Sequence, residues 1–393
     1  MSDCYESRLK KAMALALDWP DDLVSNTEQP KTRAEVNLAQ GRQRRLIMAM
    51  GLVSRRTFAL GLCVAGGAAA FDSMPAGPAF AADTVRHGIQ LGGLGALRTT
   101  LPEVAKNYNI AYDVKDFRDS TSVLLALEQG ELDVGNSTIQ HLIRAISEGI
   151  EVAWVCGWGG GYNALVARKG LDVRPGSDES LKALIFSRKA AGNLLSIAAP
   201  SGSINHEKTA VYVKSLGLDP DKDVRFANVP YANHPRALEA GEVDMAVAIP
   251  IFAAISITNG NAFLFKHLFG GAFGKQEIGF IVARKLVREK SDLVQRIVSS
   301  HVEAMKLFID NPDKQIEYEK KYSRLPDAVV AMQERDFLKY NYRTDVNAIK
   351  LMARELVDLG WVKEDVSNKV DAYVDHSFLG KATGLSPAEL SKW

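Results

Sequence analysis

The sequence predicts an α/β fold built as two lobes with a binding cleft between them. Three observations lead there. Short apolar strands alternate with helical segments from Thr84 onward, the phrase ALEQGELDVG (126–135) returns as ALEAGEVDMA (237–246), and glycines close the helices in both halves. The composition permits two cores, since 47% of the 393 residues are hydrophobic and only 24% are charged. The formal net charge of +1, with no basic block in the main body, argues against nucleic acid or an acidic membrane surface as a partner. The three cysteines, Cys4, Cys63 and Cys156, form neither a disulfide framework nor a metal motif.

Residues 1–81 read as an address rather than as fold. SRRTFAL (54–60) sets Arg55 and Arg56 before the apolar run Phe58–Phe71, and Ala79–Ala81 offer small residues before a cleavage at Ala82. This pattern is that of a twin-arginine export signal and implies a periplasmic protein. The apolar run is shorter than the roughly 20 residues of a bilayer span, and Leu62 stands where a lipidation signal before Cys63 would carry a small residue. The long polar stretch ahead of the arginines fits a true start at Met48 or Met50.

TVRHGIQLGG is the first strand, and Thr100 with Glu103 suggests a capping box for the helix after it. IAYDVKDF is a second strand. DSTSVLLALEQG is a helix capped by Asp119 or Ser120 and stopped at Gly130; ELDVGNST is a buried strand. Ser137 and Gln140 suggest a second capping box, opening a helix that ends at Gly149, and EVAWVCGW continues the sheet. The grammar restarts with LSIAAPSGS as strand and loop, a helix from Ile204 to Gly217, the strand DVRFANV, a helix with Pro235 in its first turn, and the strand EVDMAVAIP. Beyond them Leu293, Ile297, Val298, Val302 and Met305 have helical spacing and are expected to pack on the first lobe.

In open α/β sheets ligands sit beyond the carboxyl ends of the strands, where helix N-termini offer N–H groups. The residues that follow each copy of the repeated phrase are therefore the first candidates: Asn136, Ser137 and Thr138 on one wall, Ile249 and Pro250 on the other. Ser120, Thr121, Ser201 and Ser203 join them at further helix starts, with Leu94 after the first strand. Each hydroxyl alone reads as a cap, but four such starts converging on one cleft would suit an anion held by neutral donors. Trp158 and Tyr231 are either core residues or apolar walls. Glu277 reads as a solvated hinge residue, with reception of a ligand amine as the alternative. His141, His206 and His234 lack acidic partners at ligand spacing and read as helix or cap residues. No dinucleotide fingerprint, phosphate loop, nucleophile elbow or metalloprotease motif is present, so no catalytic residue, metal or cofactor is assigned.

The ordered set LLALEQGELDVGNST, SLKAL, SGSINH, ALEAGEVDMAVAIP and GFIVARKLVREKSDLV resembles the periplasmic substrate-binding proteins of ABC importers, within the aliphatic sulfonate, taurine and nitrate branch. The resemblance covers residues 84–320 and implies a type II periplasmic-binding-protein fold, each lobe a mixed sheet flanked by helices, with extra C-terminal helices. It places the first lobe at 84–166, the second at 167–276, and the return to the first lobe plus C-terminal helices at 277–393. It also implies a monomer that captures a small anionic ligand by hinge closure and delivers it to a membrane permease. The same fold serves the thiamine-pyrimidine synthases, whose cysteine-rich iron motif is absent here, and receptors that signal to a membrane kinase; these are the alternatives. KNYN, shorter than the equivalent helix end in many relatives, and CGWGGGYN depart from the pattern.

Overall fold

A computed structural model describes residues 81–90, 95–117, 119–270 and 274–393. The export-signal reading and Leu94 lie outside them. The chain runs β1 (Asp83–Gln90), α1 (Gly95–Ala105), β2 (Ile110–Phe117), α2 (Ser120–Glu128), β3 (Val134–Thr138), α3 (Ile139–Glu148) and β4 (Val152–Gly160). It continues through β5 (Ala164–Arg168), α4 (Asp178–Ala190), β6 (Leu195–Ala198), α5 (Ile204–Ser215), β7 (Val224–Ala227), α6 (His234–Glu239), β8 (Met245–Ala248), α7 (Pro250–Thr258) and β9 (Ala262–His267). Then come β10 (Ile278–Ala283), α8 (Arg284–Glu289), α9 (Ser291–Ile309), α10 (Pro312–Ser323), α11 (Asp327–Met332), β11 (Lys339–Tyr340), α12 (Val346–Asp358), α13 (His376–Thr383) and α14 (Pro387–Leu390).

The strands form two mixed sheets, one in the order β11-β4-β10-β3-β1-β2 and the other β7-β6-β8-β5-β9. The strand after each copy of the repeated phrase holds the same place. β3 is parallel to β1 on one side and antiparallel to β10 on the other; β8 is parallel to β6 and antiparallel to β5. Each is the point where its sheet switches direction, the position that opens a crevice at strand ends.

The phrase also repeats its bonding. In the first copy Gly130 stops the helix in the left-handed region, Glu131 and Leu132 donate their N–H groups to Ala126 O, and Asp133 N donates to Arg86 O. In the second, Gly241 stops the helix, Glu242 and Val243 donate to Ala237 O, and Asp244 N donates to Ser196 O. The acidic side chains complete the match. Asp133 accepts from Arg86 N at 2.9 Å and from the Arg86 guanidinium, while Asp244 accepts from Ser196 N at 3.0 Å and from Arg168 and Arg188. Each Asp ties a helix-to-strand turn to the neighbouring parallel strand, and thereby fixes where the following strand ends.

Two expected caps differ from what is seen. α1 begins at Gly95 because Ala96, Leu97, Leu101 and Ala105 bury one helical face, so Thr100 lies inside it and donates to Ala96 O. β3 runs through Thr138 because Ser137 and Thr138 pair with Gly279 and Ile278; α3 therefore starts at Ile139, and the Ser137–Gln140 capping box does not form. Asp119, by contrast, caps α2 through Ser122 N at 2.8 Å.

The chain passes between the sheets at Gly161–Asn163, inside the span the sequence assigned to the first lobe, since β5 already pairs with β8 and β9. It returns between β9, in the second sheet, and β10, in the first. A third passage follows α11: Val329 and Phe337 bury in the second lobe's cluster with Ala253, while Leu338 and Tyr340 bury in the first lobe's. The run CGWGGGYN is built for this crowding. A Cβ on Gly160 would lie 1.9 Å from Lys275 O, and one on Gly161 (φ +93) would lie 2.1 Å from Phe337 O. The apolar face of α9 packs on the first sheet as expected, with Leu293, Ile297, Val298, Val302 and Met305 buried beside Val85 and Phe280.

Candidate functional site

The first passage meets the return at Glu277. This carboxylate accepts from Tyr162 N and Asn163 Nδ2 at 2.6 Å each and from Lys208 Nζ at 2.8 Å. The side chains of Lys208 and Glu277 are 2% and 0% exposed. Glu277 is thus neither a solvated hinge nor free to take a ligand amine: an internal ammonium holds that place. Its backbone serves the junction as well, because Glu277 O accepts from Ile139 N, the first N–H of α3, and Glu277 N donates to Gly159 O. The network then enters the second lobe, where Asn205 Nδ2 donates to Tyr162 O at 2.8 Å and Tyr231 Oη donates to Asn205 Oδ1 at 2.6 Å.

On the first-lobe wall, Asn136 Oδ1 accepts from Gln90 N at 2.8 Å and Ser120 Oγ meets Gln90 Oε1 at 2.5 Å, so the ends of β1, α2 and β3 are tied together. Thr121 and Thr138 hold His141 between them, 2.9 Å from Nε2 and 2.7 Å from Nδ1. Burial lowers His141 to about 4, so its ring is neutral, with one nitrogen donating and the other accepting. Asn136 Nδ2, Ser137 Oγ, Gln140 Oε1 and Asn163 Oδ1 are buried with no partner in the protein.

On the second-lobe wall, Ser203 caps α5 through His206 N, and Ser201 N donates to Asn228 Oδ1. Gln140 Nε2 on α3 donates to Gly202 O at 2.7 Å, bringing the starts of α3 and α5 face to face. Ile249 and Pro250 are buried at the start of α7. Tyr231 stands at the junction through its bond to Asn205. Trp158 does not, since its ring is fully buried in the first lobe's core, 5.8 Å from Phe280 and 5.1 Å from His301 between centroids.

Sequence reasoning missed Asn163, Asn205, Glu207 and Lys208. Only the i, i+3 spacing of Asn205 and Lys208, which places both on one face of α5, hinted at a shared partner. Glu207 is buried with neither carboxylate oxygen paired, and burial pushes it up to about 8, with Lys208 opposing the rise and Glu355 and Glu277 adding to it.

Among solved structures, the alkanesulfonate-binding protein of Xanthomonas axonopodis pv. citri bound to MOPS is similar at TM-score 0.61 and 18% identity, covering 75% of this chain and 98% of that one. The periplasmic aliphatic sulphonate binding protein of Escherichia coli gives 0.58 and 17%, covering 73% and 91%. The periplasmic nitrate-binding protein of Synechocystis gives 0.62 and 12%, covering 79% and 91%. At these identities the likeness is one of fold, the periplasmic-binding-protein fold expected from the sequence. No curated protein matches the chain. The sequence model of the NMT1-like family matches residues 103–319, more than half of the chain, and the chain belongs to the NMT1-like family.

Proposed function

We propose that this protein is the solute-binding component of an ABC import system, exported to the periplasm through its twin-arginine segment and working as a monomeric binder rather than a catalyst. It would capture a small organic anion, sulfonate-like or carboxylate, or nitrate, at the junction of its lobes and present the closed form to a membrane permease. One observation supports this reading: Gln140 at the start of α3 donates to Gly202 O just before α5, and Asn136 Nδ2, at the strand end that leads into α3, is buried without a partner in the protein. Helix starts supply N–H groups and dipoles that favour negative charge, and the passages are where hinge closure would act. A ligand that bridges the lobes favours the closed form by its differential affinity for it.

A thermal-shift screen of the mature chain against alkyl sulfonates, nitrate, carboxylates and pyrimidines is expected to give one saturable stabilisation, near 2.7 kcal/mol when the ligand is at about 100 times its Kd. Asn136→Ala should weaken that binding about tenfold or more, equivalent to roughly 1.4 kcal/mol, and, because Gln90 N loses its acceptor, should lower the unliganded stability by about 1–3 kcal/mol. Undiminished binding in that variant removes the first-lobe wall from the site.

A further inference from the structure

The turn that ends α12 has the same bonding as the two turns of the repeated phrase. Gly360 stops the helix in the left-handed region, and Trp361 and Val362 both donate their N–H groups to Leu356 O, as Glu131 and Leu132 do to Ala126 O and Glu242 and Val243 to Ala237 O. The residue after the glycine differs. Glu131 and Glu242 are exposed, whereas Trp361 is half-buried, with its ring 4.8 Å from that of His206 on α5. His206 lies 4.4 Å from Phe226 on β7, so three rings run from the end of α12 to the edge of the second sheet. At the far end of α5, Lys214 Nζ donates to Asp358 O, the last residue of α12, at 3.3 Å. Asp358 and Trp361 both lie outside residues 103–319, the span that the family model matches.

These contacts join the two lobes in addition to the chain passages. α12 buries Ile349, Met352 and Leu356 with Trp154 and Ile281 of the first lobe, and Trp361 packs on the same cluster. α5 buries Tyr212 and Val213 with Ile197 and Met245 of the second lobe, while its first residue, Ile204, reaches the first lobe's cluster. The turn before α5 is held from the first lobe by Gln140 Nε2 on Gly202 O, and Gly202 N donates to His206 Nδ1, which orients the ring that Trp361 meets. A separation of the lobes parts α12 from α5, so the Trp361 and Lys214 contacts exist only while the lobes are closed. We propose that the turn after α12 is a latch, with Trp361 seated on His206 and Asp358 O held by Lys214, that biases the solute-free chain toward its closed form. The fraction already closed sets the apparent affinity for any solute that binds that form. The inference rests on the closing of two lobes and not on the identity of the solute.

Fluorine NMR of the solute-free mature chain, grown with 5-fluorotryptophan, reads the latch directly. Trp154 and Trp158 are fully buried, and Trp361→Phe identifies the Trp361 signal among the rest. That signal should stand apart from its position in the urea-unfolded chain and should move toward it in His206→Ala. Small-angle X-ray scattering of the same solute-free samples should show a larger radius of gyration in Trp361→Ala and in His206→Ala, because loss of an aromatic pair lowers the ratio of closed to open chain about two- to tenfold. Trp361→Ala also removes packing from the first lobe. His206→Ala and Lys214→Met break the latch from the second lobe instead, so a poorly folding Trp361 variant does not blunt the test. A Trp361 signal indifferent to His206→Ala, or an unchanged radius in the folded variants, overturns the latch, and so does a loss of stability with no change in either reading. The thermal-shift screen reads solute binding separately, so a failed latch leaves the interlobe reading standing.

Discussion

Lys208 and Glu277 form a pair closed off from solvent, with two further donors, Tyr162 N and Asn163 Nδ2, on the same carboxylate. Removing one member of a buried ion pair costs about 3–5 kcal/mol because the other charge is stranded, while neutralising both is often nearly neutral. Lys208→Met should therefore lower the free energy of urea unfolding by about 3–5 kcal/mol. Adding Glu277→Gln to that variant should restore most of the loss, since a glutamine keeps the carbonyl acceptor and carries no charge. A double variant as unstable as Lys208→Met would show that the lysine contributes by packing alone. The sequence could not reveal this pair. Glu277 lies 69 residues from Lys208 and 114 from Asn163, and its polar neighbours Lys275 and Gln276 make the segment read as solvent-facing.

Glycines show what is legible at the scale of elements. Gly130 and Gly241 were readable as helix stops because the requirement is local, a left-handed residue after a helix. Gly160 and Gly161 were readable only as an unusual run, since their reason is the approach of Lys275 O and Phe337 O from distant segments. Gly161→Ala forces a side chain into φ +93 and against the Phe337 carbonyl. Strain of about 1–3 kcal/mol plus the cost of overpacking, again about 1–3 kcal/mol, should appear as a clear fall in the urea midpoint. A variant as stable as the parent would mean that the passages separate readily. The parallel βα units and the repeated phrase came through from periodicity and capping signals. The antiparallel partners β5 and β10 emerge only from the sheet order, and their pairing placed the start of α3 two residues beyond the expected cap. Of the candidate site, the capping role of Ser203 at the start of α5 was legible, whereas Trp158 belongs to the core because β4 is buried on both faces.

Across the whole molecule, burial lowers all seven histidines: His87 to about 3, His141, His234 and His301 to about 4, and His206, His267 and His376 in the same direction. Unfolded, each returns to 6.5, so between about pH 4 and 6.5 the unfolded chain binds more protons and stability rises with pH. Four carboxyls act in the opposite sense. Glu207 is raised from 4.5 to about 8, and Glu319, Glu334 and Glu355 are raised by burial as well, so their contribution is lost as pH climbs beyond 4.5. The histidines outnumber them on the acid side, and Glu207 still acts above 6.5. Urea midpoints should therefore peak near pH 6.5, fall steeply toward pH 4 and decline again toward pH 8.5. A continued rise from pH 6.5 to 8.5 would refute the assignment of a proton to Glu207.

The junction itself is best tested by shape. Small-angle X-ray scattering of the mature chain, alone and saturated with the solute that shifts its melting temperature, reports whether two lobes close on a bound molecule. A smaller radius of gyration on saturation, reached in Asn136→Ala only at about tenfold higher solute, is the predicted result. An unchanged radius at full occupancy would place the solute outside the junction and contradict closure around Glu277 and the facing helix starts.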